Sequence, residues 1–203
     1  ASYDLGSGSV LSIKDDGPTA SNATPGTAVT ITLDETTAKV NGVRSGTGSF
    51  AEHFATASTV YGNDGAGSIG YALSLTGTDV ASGLFALDSS DTAPASGTGN
   101  DGDGIGQGAS IVLNQVGNDI VGTVGTTEYL RLSVDASTGE VTFSQSQEIW
   151  HSDTSDADDS ANLSVANGAL TLVQTVTDAD GDSDTASYDL GSGSVLSIKD
   201  DGP

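Results

Sequence analysis

Apolar residues recur at every second position in a series of short segments. In TAVTITL they are Val29, Ile31 and Leu33; in IGYALSL they are Ile69, Tyr71, Leu73 and Leu75; in EYLRLSV they are Leu130, Leu132 and Val134. Period two is the signature of half-buried strands. Further strands are expected at ASIVLNQV (109–116), DIVGTV (119–124), EVTFS (140–144), ALTLVQTVT (169–177) and TASYDLGSGSVLSI (185–198). GNDGAG, VGND, DASTG and DADGD separate them as turns, with Asn118-Asp119 closing one hairpin and the 178–184 loop another. No segment carries a helical stripe, and AEHFATAS (51–58) is expected to make a turn or two at most. The spacing predicts an all-β fold, an antiparallel β-sandwich of immunoglobulin-like or cadherin-like type. This patterning also argues against disorder, despite 28 Gly and 5% aromatic residues.

ASYDLGSGSVLSIKDDGP occurs twice, at 1–18 and at 186–203. Eighteen identities at one offset make a repeat, so the chain is expected to be a segment of a tandem array with a unit of about 185 residues. Residues 1–18 would then be the closing strand and linker of a preceding repeat, and residues 19–203 one complete unit ending in the linker Asp200–Pro203. An Ala at position 1 and the absence of Met fit such an excised segment. Gly191, Ser192 and Gly193 break the alternation in the closing strand and predict a bulge. Two copies of that strand compete for one slot, so residues 1–13 must dangle, pair with another molecule or displace 186–198.

The net charge is -23, and the acids are 23 Asp against 5 Glu. Asp favours turns and hard-cation sites where Glu favours helices, so the acidity points to loops that bind metal. Lys14, Lys39, Arg44, Arg131 and Lys199 are the only opposing charges. Such self-repulsion calls for cations, and it excludes nucleic acid and anionic membranes as natural partners. Without Cys there is no disulfide framework and no thiolate metal site. No apolar run approaches 18 residues, so no membrane insertion is expected.

The strongest motif is TDADGDSDT, in which Asp178, Asp180, Asp182 and Asp184 alternate around Gly181. In a compact loop this spacing turns oxygen ligands toward one point, as in loops that wrap calcium. The plain alternative is a polar hairpin, but four carboxylates in seven residues repel one another without a cation. The closing strand runs from this loop to the 199–203 linker, so the loop faces the preceding unit's linker. Asp15 and Asp16, the repeat-equivalents of Asp200 and Asp201, are therefore expected beside Asp180 and Asp182. Asp34 or Glu35 would be further ligands of an ion that locks successive units, against the alternative of a flexible acidic linker. GTGNDGDGIG (97–106) offers Asn100, Asp101 and Asp103, either as a lone glycine-aspartate calcium turn or as a polar loop. HSDTSDADD offers Asp153, Asp156, Asp158 and Asp159, either to another ion or to solvent. For catalysis there is little: His53 and His151 stand without an esterase elbow, a zinc-protease motif or a phosphate loop. Trp150 and His151 read as strand-end packing, and the chain is expected to be no enzyme and to act on no substrate.

EVTFSQSQEIWHSDTSDADDSANLS followed by LTLVQTVTDADGDSDTASYDLGSGSVLSIKDDGPTA resembles the long tandem repeats of bacterial RTX adhesins exported by type I secretion. His151 to Asp159, Thr177 to Asp182 and Asp200 to Pro203 carry the resemblance, with LDET (33–36) and DGAGSIGYALSL (64–75) upstream. Trp150 departs from it, since a smaller residue is expected before the His. The resemblance implies an extracellular extender module on the bacterial surface, rigidified by several calcium ions, with adjacent identical repeats as its partners and target adhesion performed elsewhere. A calcium-dependent glycan-binding module, using the 97–106 loop with Tyr61 or Trp150, is the competing function.

Overall fold

The computed structural model describes residues 12–24, 27–55, 60–94 and 104–201. It is an all-β sandwich, with one short 3-10 turn at Ala51–His53 where the helical turn is expected. In chain order the strands are β1 (Ile31–Asp34), β2 (Arg44–Ser49), β3 (Ala66–Leu75), β4 (Val80–Leu87), β5 (Gln107–Val116) and β6 (Asp119–Val124). They continue as β7 (Thr127–Val134), β8 (Glu140–Gln145), β9 (Ser160–Asn162), β10 (Leu170–Asp178), β11 (Ser183–Asp189) and β12 (Leu196–Lys199). One layer is a six-stranded sheet in the order β2-β8-β7-β6-β5-β4. Facing it are two three-stranded sheets, β11-β10-β3 and β1-β12-β9. β3 packs on β5, β6 and β7, while β1 packs on β2 and β8, so both small sheets share one core.

Alternation fills that core. Leu170, Leu172, Gln174, Val176 and Asp178 form the inward row of β10, and all five are buried. Val141, Phe143 and Gln145 do the same on β8, and Ile31 and Leu33 on β1. β2 has no apolar row because its inward positions are Gly46 and Gly48. A Cβ there would come within 3.0 Å of Ile31 Cγ2 and 2.9 Å of Val29 Cγ1, respectively. β2 is thus close cover for β1, and its RSGTGS sequence hides it from a hydrophobic reading.

Three expectations change. The β5–β6 turn is Gly117-Asn118, with Gly117 at φ 64°, and Asp119 already pairs with Val116 as the first residue of β6. The closing segment is two strands in two sheets: β11 pairs with β10, the chain crosses at 190–195, and β12 pairs with β1 and β9. And β1–β12 is parallel, the one exception among otherwise antiparallel pairs of the described residues. The C-terminal copy of the repeat fills the closing slot. Of the N-terminal copy, residues 1–11 lie outside the described residues, and Ile13 is fully exposed.

Residues 159–178 and 182–200 run as one long antiparallel ribbon that steps from one small sheet to the other. Thr177 pairs with Ser183, the Leu190 N–H donates to the Leu170 carbonyl, and the Leu163 N–H donates to the Leu196 carbonyl. At its open end the Asp200 N–H donates to the Asp159 carbonyl at 3.0 Å. The 179–182 turn is the ribbon's tip, so that turn and Asp200 stand at opposite ends of the sandwich.

β12 ties the two halves together, since Leu196 and Ile198 are completely buried between β1 and β9. Ile198→Ala is expected to lower unfolding free energy by about 2–5 kcal/mol through lost burial and a residual cavity. Chemical denaturation measures this, and a loss below about 1 kcal/mol would show that β12 is not integral to the core.

Candidate metal centres

Each end of the sandwich carries a cluster of ionisable groups, and in each case an inward row of a strand runs out into a carboxylate. At the ribbon tip the row of β10 ends in Asp178, which is 3% exposed. A register shift against β3 falls at Thr177/Asp178 and aims this side chain into the tip. Asp178 Oδ1 accepts hydrogen bonds from the Gly181 and Asp182 N–H groups at 3.1 and 2.9 Å, folding the loop around it. Gly181 has a φ of 109°, which permits the tight return. Asp178 Oδ2 is buried and accepts no hydrogen bond. Asp15, from the first copy of the linker, brings a carboxylate oxygen within 4.8 Å of carboxylate oxygens of Asp180 and Asp182.

The segment that carries Asp15 and Asp16 is held by hydrogen bonds to side chains and backbone. Asp16 Oδ2 accepts from Asn63 N and Asn63 Nδ2 at 2.8 and 2.6 Å. Gly62 lies beneath it at φ 68°, where a Cβ would stand 2.9 Å from Asp16 Oδ2. Thr19 N donates to the Val60 carbonyl at 2.7 Å, and Ala20 N donates to Asp184 Oδ2 at 2.9 Å. Asp184 therefore anchors the linker backbone and is not a member of the Asp15 cluster.

Crowding of carboxylates governs the charge state here. The adjoining Asp178 carboxyl, then partial desolvation and the charge of Asp15, push Asp180 up to about 6. Asp182 is raised too, first by its contact with Asp15 and then by the charges of Asp15, Asp178 and Asp64. Asp15, Asp180 and Asp182 gather only hard oxygens, with the Asp178 carboxyl adjoining Asp180 and its Oδ2 buried without a hydrogen bond. This donor set fits calcium, which takes six to eight oxygens at about 2.3–2.6 Å. Three gathered carboxylates reach that number with bidentate contacts, a neighbouring carboxylate or carbonyl, and water.

Asp34 and Glu35 do not join this cluster. They lie past the end of β1, which runs parallel to β12, at the opposite end of the domain. Asp34 Oδ1 accepts from Thr36 N at 2.9 Å, and that bonding to Thr36 lowers its pKa. Glu35 is one step beyond the β1–β12 ladder and buried to 4% exposure, which pushes its carboxyl up. It converges there with His151 and Asp200, each supplying one ligand-type atom within 4.8 Å of the others. His151 is thus part of an ionisable cluster and not simple strand-end packing. Its partners are 116 and 49 residues away, a separation without a local signature. Trp150 does pack as expected, edge-on to Phe85 with Nε1 donating to the Ile105 carbonyl at 2.8 Å.

The remaining candidates are spent on turns. Asp153 Oδ1 accepts from Ser155 N and Oγ, Asp156 Oδ1 accepts from Asp158 N, and Asp158 pairs with Lys199. These three carboxylates do not gather at one point among the described residues. Asp201 lines the cleft beside Asp200. Asp101 and Asp103 lie outside the described residues.

A β-sandwich with a carboxylate cluster at the tip of its closing ribbon and a mixed imidazole-carboxylate cluster at its open end is the class of protein these features define. The chain belongs to the family described as Domain of unknown function (DUF5801), whose model matches residues 30–191. That span contains Glu35, His151 and the whole 178–184 loop, and leaves out both linker copies. No curated protein and no solved structure matches the chain.

In calcium-free protein the raised pKa of Asp180 gives a definite sign to the pH dependence. Its ordinary value is 3.8, so between there and about 6 the folded state binds more protons than the unfolded chain. Stability therefore rises as pH falls through about 6, before the depressed Asp34, Asp135 and Asp153 reverse the trend in stronger acid. Melting in chelator is expected to shift upward between pH 7 and pH 5; a flat or falling midpoint contradicts carboxylate crowding at the tip.

Proposed function

We propose that this domain is a calcium-dependent structural extender, a spacer in the tandem array of a large bacterial cell-surface adhesin. Calcium at the ribbon tip fixes each unit to the linker of the unit before it, and the array projects a distal binding region from the cell. The observation that carries this reading is the meeting of Asp15, from one copy of the repeated segment, with Asp180 and Asp182, where Asp180 also adjoins the buried Asp178 carboxyl. Two further features support it. The same linker recurs at the opposite end as Asp200-Asp201, with the same local turn: Asp16 N donates to Asp15 Oδ1 and Asp201 N to Asp200 Oδ1. Asp180, Asp182 and Asp15 are all exposed, so an ion reaches them without opening the core.

The mechanism is electrostatic. Without calcium, the repulsion among Asp15, Asp180 and Asp182 loosens the linker from the tip and weakens the fold, which suits a chain kept unfolded for type I export where calcium is scarce. With calcium, the same carboxylates become ligands, and the linker is held against the Asn63 and Val60 contacts.

Thermal unfolding with calcium and with chelator tests this. A ligand that binds only the folded state at one hundred times its Kd adds about 2.7 kcal/mol, so the midpoint is expected to rise by several degrees. Asp180→Asn and Asp182→Asn are expected to remove most of that rise. An unchanged midpoint in chelator would falsify the calcium reading. In a protein of three consecutive units, small-angle scattering is expected to show a longer maximum dimension with calcium than without; equal dimensions would remove the stiffening role.

A further inference from the structure

We infer that the open end of the ribbon holds a second metal site of different chemistry, a three-ligand centre for a borderline divalent ion such as zinc, formed by His151 Nε2, Glu35 and Asp200. This goes beyond the calcium reading and stands without it. Both core-side ligands are oriented from behind so that their facing lone pairs are left over. Asp159 Oδ1 lies 2.8 Å from His151 Nδ1, which places the imidazole proton on Nδ1 and leaves Nε2 as an acceptor. A carboxylate behind a ligating histidine is the usual outer-shell device that fixes ring orientation and raises basicity. Glu35 Oε1 accepts from Gln145 Nε2 and from Ile149 N, leaving Oε2 free on the side of His151.

His151 Nε2 accepts no hydrogen bond and donates none, although the side chain is only 5% exposed. It faces Glu35 Oε2 at 3.7 Å, with a carboxylate oxygen of Asp200 also within 4.8 Å. Ligands on a tetrahedral ion with bonds of about 2.1 Å stand about 3.4 Å apart, so a small contraction completes the site. Asp200 is placed by its backbone, through the N–H bond to the Asp159 carbonyl and the β1–β12 register. The cleft in front, about 520 Å3 and bounded by Asp88, Asp91 and Trp150, leaves room for water at a fourth position. An imidazole with two carboxylates suits zinc, cobalt or manganese, whereas calcium takes oxygen. His53 is excluded as a rival, since its ring is buried between Phe50 and Tyr188.

The test is a titration of the calcium-saturated protein with cobalt, as a visible probe, followed by displacement with zinc. One cobalt equivalent with ligand-field bands of a low-coordinate nitrogen-oxygen site is expected, and zinc should bleach them. His151→Gln is expected to abolish the bands, and Asp159→Asn to weaken binding about 10–100-fold. Glu140→Gln, an exposed acid on β8 that belongs to neither cluster, should leave them unchanged. If His151→Gln does not fold, Asp200→Asn, at a half-buried position beyond β12, takes its place, with at least a tenfold loss expected. Absence of cobalt bands in the parent protein, their persistence in both His151→Gln and Asp200→Asn, or their loss in Glu140→Gln would each overturn the assignment.

Discussion

The period-two register of the strands is the constraint on which both ends of this domain depend. Core-facing rows cannot stop where the core stops, because the next inward position is set by the pleat. On β10 the residue after Val176 in that row is Asp178, and on β1 the residue after Leu33 is Glu35. Each carries a carboxylate into a nearly dry position: Asp178 is 3% exposed and Glu35 4%. A buried carboxylate is costly unless it is hydrogen-bonded, paired or bound to metal. The loops and linker are built around meeting that cost.

The two ends meet it with different chemistry. At the tip, backbone N–H groups satisfy one oxygen of Asp178, and its carboxyl adjoins the crowded Asp180, an arrangement that a hard cation would resolve and added protons only partly relieve. At the open end, Gln145 and Ile149 hold one oxygen of Glu35 while His151, itself held by Asp159, faces the other. Parallel pairing of β1 with β12 brings Asp200 alongside Glu35, because Leu33 pairs with Ile198 and the rows continue in step. The Asp200 segment is thereby seated at one cluster as the Asp15 segment is at the other. Arg44 braces the open end further, donating to the Glu35 carbonyl and pairing with Glu148 at 2.7 Å.

Much of this was legible in the sequence, and what was not has physical reasons. Alternating apolar positions located β3, β5, β6, β7, β8 and β10 closely and β1 in part. β2 escaped because glycine fills its inward row, β4 because Ser82 and Ala86 dilute its alternation around Gly83, and β9 because three residues carry no period. The repeated eighteen residues marked the closing strand but not its crossing between sheets, which depends on which partners β10 and β1 leave open. The encounter of Asp15 with Asp180 and Asp182 followed from the direction of one strand. Asp34 and Glu35 stand at the opposite end from the one expected because their position depends on the parallel β1–β12 pair, which no local spacing encodes. His151 looked like packing for the same reason: its partners come from β1 and the linker.

The central claim is that one cation joins the incoming linker to the ribbon tip. It is tested most directly by the crystal structure of two consecutive units grown with calcium, with the ion located by its anomalous scattering. The account predicts a peak bound by Asp178 Oδ2, Asp180 and Asp182 of one unit and the linker aspartate equivalent to Asp15, at about 2.3–2.6 Å from each oxygen. A joint in which that linker carboxylate points into solvent, or in which the tip carboxylates hold no calcium, would contradict it.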